Sequence, residues 1–238
     1  MSKVLQADNT RYKNRPNYTQ ACMLLQAIEL NQRRALHPRC LAHLAMFVVK
    51  TWETDPCEEK CKELYQLLHT LLASSNIDEP SLEKSLRMFC QNSASTPTPC
   101  AAVTLLVAIS YLERLNQKFG SIRGTIGCGA RLISIAFLLA AQYMHDSLQL
   151  IIHVPLRDKQ ITEPVALPSP LQPTTEEQKL RISKLELEFL HLMDYDLSFN
   201  DPAQLVHWAH SFDTPPPMLD YCTSADEGDD EMDDDFDF

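Results

Sequence analysis

Two stretches of this chain, Ala101 to Leu112 (AAVTLLVAISYL) and Leu132 to Met144 (LISIAFLLAAQYM), are apolar nearly all round. The longer one carries Ser134 and Gln142 and is too short to span a bilayer. Away from a membrane, a helix with no polar face has to be encased by other helices. The expectation is an all-α fold packed around at least one central buried helix. The glycine supply agrees. The chain has 5 glycines in 238 residues, and four of them sit between Gly120 and Gly129, in the loop joining the two apolar stretches. Hairpin-rich folds and Gly-rich phosphate loops need more than that.

The remaining helices read from their punctuation. Tyr18 to Leu36 has apolar residues at helical intervals, and Pro38 opens the next segment, through Trp52. Asp55-Pro56 opens a third, with Leu64, Leu67, Leu68, Leu71 and Leu72 on one stripe. Ser81 stands where a cap belongs, before a short helix through Phe89. The loop Ser93–Pro99 leads into the first apolar helix, with Thr96 and Thr98 as candidate caps. Residues 147–175 hold five prolines and read as a long extended insertion. Thr174 and Thr175 then precede Glu176 and Glu177, an N-terminal signature for a helix to about Asp194. Asp201-Pro202 starts a last short helix, ending by Phe212.

The net charge of −11 is uneven. Residues 226–238 hold nine acids and no base, which leaves the other 225 residues at −2. Residues 213–238 therefore read as a disordered acidic tail on a near-neutral body. Such a body has no footprint for nucleic acid. Met1 to Pro16 is polar and lacks a signal-peptide core. The eight cysteines are mostly dispersed beside apolar residues and read as free, mostly core thiols in a reducing compartment, nucleus and cytoplasm. The only close pair, Cys57 and Cys61, lacks metal-site spacing, and His207 with His210 lacks a third ligand. No nucleotide, nucleophile-elbow or zinc-protease motif occurs, so no catalytic residue, metal or cofactor is expected. A binding protein is favoured over a helical enzyme.

One acid is out of place. At ~100° per residue from Ile182, the residues Leu185, Phe189 and Met193 fall within about 60° of the origin and Glu186 falls near 40°, inside that apolar stripe. A carboxylate there is costly unless paired. Either it meets an intramolecular partner or solvent at the margin, or the face is only partly covered and Glu186 bonds to something docked. On the central helix, Arg131, Leu138 and Gln142 align, flanked by Ser134 and His145. That polar seam is either a solvent-facing edge or a binding edge.

Three motifs then resemble the cyclin box, in the version of the fungal Pcl-type, phosphate-pathway cyclins. Thr96-Pro-Thr-Pro99 followed by Leu105 to Tyr111-Leu-Glu-Arg-Leu115 is similar to its first core helices. Arg131 to Ser147 resembles its central helix, usually R-x₁₀-K-Y-x-x-D-S, and Ser183 to Leu190 with Met193-Asp-Tyr-Asp-Leu197 resembles its last. The likeness covers residues of about 80–200. It implies a five-helix cyclin box around a central buried helix, Arg131–Asp146. The implied division is an N-terminal helical extension over 1–76, a box over 77–212 with the insertion at about 147–175, and the tail.

The function implied is a regulatory subunit that binds and activates a cyclin-dependent protein kinase of the phosphate-pathway type and helps select its substrates. That role belongs to phosphate and cell-cycle signalling and needs no membrane. The alternative is a cyclin-fold adaptor that no longer activates a kinase. The kinase interface implied is Arg131, Gln142 and Glu186. Glu186 falls on the family's acidic contact. Gln142 stands where the family has a lysine, a departure that removes a charge. Ser169 and Ser224 lie in minimal kinase-site patterns and are candidate phosphorylation sites.

Overall fold

The computed structural model describes residues 15–120, 122–125, 127–152 and 176–214, the last segment without the side chains of 176–179. The greater part of the insertion, the tail beyond 214, Ser169 and Ser224 lie outside the described residues. Eight α-helices follow in order among the described residues: α1 (Tyr18–Asn31), α2 (Pro38–Trp52), α3 (Glu58–Ser74), α4 (Leu82–Gln91), α5 (Ala101–Phe119), α6 (Cys128–Leu148), α7 (Glu176–Leu192) and α8 (Pro202–His210). The 3-10 turn Ser211–Asp213 closes α8. The chain is all-α, with no strand among the described residues beyond two isolated bridges.

The two apolar stretches are α5 and α6, and they pack against each other. Every residue from Ala101 to Ala108 is buried. Helices α1, α2 and α3 each touch both, α8 packs on α1 and α5, and α4 and α7 lie on α6. One contiguous core results, from Leu24 on α1 to Ala209 on α8. Residues before position 77 therefore share their core with those after it. Among the described residues no helix is long and apolar enough to cross a membrane.

Local punctuation behaves as its chemistry requires at several starts. Asn17 Oδ1 accepts from the Gln20 amide at 2.9 Å, Ser81 Oγ from Lys84 at 3.4 Å and Asp201 Oδ1 from Gln204 at 3.1 Å. Pro38 and Pro202 occupy first turns, where a missing N–H is harmless. Helix α1 stops at Asn31, short of the expected Leu36. Gln32 and Arg33 turn left-handed, with φ of 48° and 59°. The fully buried Asn31 amide holds that turn by donating to Arg34 O at 3.1 Å.

Both central helices are capped from far away in sequence. Asn76 Oδ1 accepts from the first amide of α5, Ala101, at 2.8 Å. The expected caps Thr96 and Thr98 do not serve. Thr98 is fully buried and uses its backbone on Ser75 O, at 2.7 Å, while its carbonyl accepts from Ile77 at 2.9 Å. At the start of α6, Glu53 is 5% exposed and accepts from the Gly127 amide at 3.2 Å. Gly127 is left-handed there, φ 79°, a conformation glycine adopts freely. A carboxylate at a helix N-terminus is favoured by the helix dipole, and Lys60 at 3.6 Å offsets the burial of its charge. Gly129 leaves space for Val48, whose Cγ1 would stand 3.0 Å from any Cβ added there.

The cysteines divide differently from expectation. No described cysteine is in a disulfide, and Cys40, Cys90 and Cys100 are buried, but Cys57, Cys61 and Cys128 are only half-buried and Cys22 is exposed. Beside-apolar placement in sequence does not by itself bury a small side chain on a helix margin.

Candidate functional site

The motifs that carry the resemblance meet in space. On α5, Tyr111, Arg114 and Lys118 share one stripe at i, i+3 and i+7. That stripe grips the segment following α7. Tyr111 Oη donates to Leu197 O at 2.8 Å. Arg114 donates to Ser198 O at 2.7 Å and Asp196 O at 2.9 Å. Lys118 donates to the Asp194 carboxylate at 2.7 Å and to Leu192 O at 3.1 Å. The gripped backbone turns sharply, with Asp194 and Tyr195 left-handed at φ 53° and 59°. Its amides close the end of α7, Tyr195 N on Leu190 O at 2.8 Å. Gln20 on α1 adds a two-way bond to Phe199, donating to its carbonyl at 2.8 Å and accepting from its amide at 3.2 Å.

A second meeting joins α6 to α7. Gln142 Nε2 donates to Glu186 Oε1 at 3.2 Å. The acid singled out by the helical wheel and the polar residue of the α6 seam are thus partners. Both are half-buried. The Gln142 Oε1 atom is buried and accepts no hydrogen bond from any described residue. Arg131 lies eleven residues earlier on the same side of α6, about 16 Å away along the axis, and is exposed. The structure therefore brings Gln142 and Glu186 together and leaves Arg131 at a distance. The rest of the seam is occupied internally: Ser134 Oγ bonds Ala130 O at 2.8 Å, and His145 Nε2 faces Asn92 O at 3.0 Å.

Around the pair, α7 is covered on one side only among the described residues. Phe189, Leu190 and Met193 are buried. Leu185 and Leu192, both within the apolar stripe or at its margin, are 41% and 40% exposed, and Leu187 is 56% exposed. A hydrogen-bonded amide–carboxylate pair thus sits beside exposed apolar surface. The Glu186 carboxylate can accept N–H donors from a docked backbone. The neighbouring Tyr143 faces inward, edge-on to Phe199 with centroids 5.8 Å apart, and burial pushes its phenol up to about 12.

Among the described residues no group of three His, Cys, Asp or Glu side chains could hold a metal ion. His210 instead faces the Asn31 amide at 3.3 Å. The positions that sequence reasoning missed are Glu53, Asn76 and Gln20. Their partners lie 74, 25 and 179 residues away, and no local pattern marks them. No family model, no curated protein and no solved structure matches this chain.

Proposed function

We propose that the chain is a cyclin-type regulatory subunit. In this reading it binds a cyclin-dependent protein kinase of the phosphate-pathway type, activates it and helps select its substrates, in the nucleus and cytoplasm. The observation that supports it is the convergence of the motifs. The α5 motif grips the segment after α7, and the α6 and α7 motifs share the Gln142–Glu186 bond. Five described helices, α4 to α8, fall within residues 77–212, the number such a box needs, with α6 at their centre.

The mechanism follows from position rather than chemistry. A subunit of this type packs against the regulatory helix of the kinase and holds it in the active placement. The kinase then supplies the Lys–Glu ion pair and the metal-bound ATP. Glu186 accepts from kinase backbone, and the exposed leucines of α7 supply apolar contact.

A second reading has an observation of its own. Gln142 carries no charge and its amide is already used on Glu186. An adaptor that docks without activating would tolerate that.

The test is reconstitution. The chain is co-expressed with a phosphate-pathway-type kinase, purified, and assayed for peptide phosphorylation, alone and as Glu186→Ala. An active complex, weakened by Glu186→Ala by about 1–3 kcal/mol (roughly 5–150-fold in affinity), is the expected result. A complex without activity supports the adaptor. No complex with that kinase or its relatives removes the proposal.

A further inference from the structure

Away from α7, helices α2 and α8 build a surface of another kind. His43 on α2, Trp208 on α8 and Phe212 in the closing turn form a three-ring cluster, with centroids 5.7, 5.6 and 5.1 Å apart. Trp208 is 38% exposed and Met46, one turn along α2, is 39% exposed. Arg39, His43, Met46 and Lys50 all lie exposed at i, i+4, i+7 and i+11, one stripe along α2. Neither helix contains an aspartate or a glutamate. The near acid is Asp213, whose charge adds to burial in pushing the Cys40 thiol up to about 11. An exposed tryptophan in a cluster of rings, with methionine and arginine on the adjoining stripe, is the composition of a protein-docking spot.

The chain itself carries a ligand of complementary chemistry, attached beside this surface. The last described residue, Thr214, lies two residues past Phe212 and is held by its hydroxyl on Ser211 O at 2.9 Å. At least 24 residues follow it. They hold Met218, Leu219, Tyr221, Phe236 and Phe238 as apolar and aromatic anchors among ten acids, with no lysine or arginine. Twelve residues separate Thr214 from Asp226, enough chain to span up to about 40 Å, while α2 is only about 22 Å long. The acids therefore reach the whole Arg39–Lys50 stripe. A tether of this length gives an effective concentration in the millimolar range, so contacts too weak to hold a free peptide suffice.

We infer that residues 215–238 dock intramolecularly on the α2–α8 surface, with aromatic and apolar side chains on His43, Met46, Trp208 and Phe212 and carboxylates along Arg39 and Lys50. Ser224 lies inside this segment. Kinase binding through α7 is not required for any of this.

Tryptophan quenching tests it in the full chain. There are two tryptophans, and Trp52 is buried at 6% exposure, so acrylamide reads Trp208. The parent is compared with a full-length variant whose ten acids in 215–238 are replaced by Asn and Gln, at about 0.1 M and about 1 M salt, between which the Debye length falls from about 10 Å to about 3 Å. The expected result is a quenching constant that rises about twofold with salt in the parent and is already high in the variant, as effective-concentration arithmetic near half occupancy predicts. A Trp208→Phe control should abolish the salt response. Equal quenching in both chains at both salts overturns the proposal, and so does a salt response that survives Trp208→Phe. Protection that depends on protein concentration also overturns it, by assigning the contact to a second copy.

Discussion

The two ends of α7 are the same helix in different circumstances. At its C-terminal end Phe189, Leu190 and Met193 are buried, and the chain beyond is held by Tyr111, Arg114 and Lys118. Toward its start Leu180 is 73% exposed and Leu187 is 56% exposed, with the Gln142–Glu186 bond as the described polar tie to α6. Leucine content does not distinguish the two. What does is the face each occupies: Leu190 and Met193 turn onto the core while Leu180 and Leu187 do not, and among the described residues the helix packed on α7 is α6. One end is fastened by its own molecule, and the other leaves apolar surface for something else.

The sharpest way to break that contrast is to cut leucines. Leu190→Ala should cost about 2–5 kcal/mol in urea unfolding, the range for a buried leucine. Leu187→Ala and Leu180→Ala should stay within about 0.5 kcal/mol, as exposed positions do. Equal losses at both ends would end the distinction. Next in size is Arg114→Ala, which removes two charged donors from half-buried carbonyls and should cost about 1.5–3 kcal/mol.

Gln142→Lys sharpens the open end instead. On the proposed cyclin reading it puts a positive charge beside Glu186 and should tighten kinase binding about tenfold, or about 1.4 kcal/mol, with unfolding stability nearly unchanged. A binding assay on the reconstituted complex decides it, since an unchanged affinity would detach the pair from the interface.

The smallest effect is a drift with pH, and it belongs to the fastened core. Burial holds Cys90 up to about 11 and Tyr143 up to about 12, and burial with the Asp213 charge holds Cys40 up to about 11. The folded chain therefore keeps these protons more tightly than the unfolded chain. Their contribution is complete below about 9, where the unfolded thiols still hold theirs, and is lost as pH rises toward 11 and 12. Urea midpoints should be level from pH 7 to 8 and begin to fall by pH 10. A rise over that span would contradict the burial of these groups.

Much of this architecture could be read from the chain, and the parts that could not share a cause. Ser81 and Asp201 accept from amides three residues on, and Pro38 sits in a first turn that needs no N–H from it, so their helix starts are legible locally. Glu186 was legible because a carboxylate on an apolar stripe violates a periodic pattern, and its partner Gln142 interrupts another. Glu53 and Asn76 cap helices that begin far along the chain, where no periodicity connects donor and acceptor. Thr96 and Thr98 stood in the expected place for a cap, but the buried Thr98 hydroxyl bonds Ser75 O and the Thr104 hydroxyl, and Asn76 caps the helix instead.

The Gln20–Phe199 pair has a mechanical consequence. A side-chain amide there plays the part of a neighbouring strand, exchanging both bonds with the backbone of one residue. It fastens the first described helix to a point 179 residues later, so that a side chain rather than the backbone closes the circuit. A load applied between residues 15 and 214 would meet this latch and the α1–α8 contact before it strained the interior. The molecule should resist stretching along that line up to the rupture of a single clasp, and then open in one step from its outside inward.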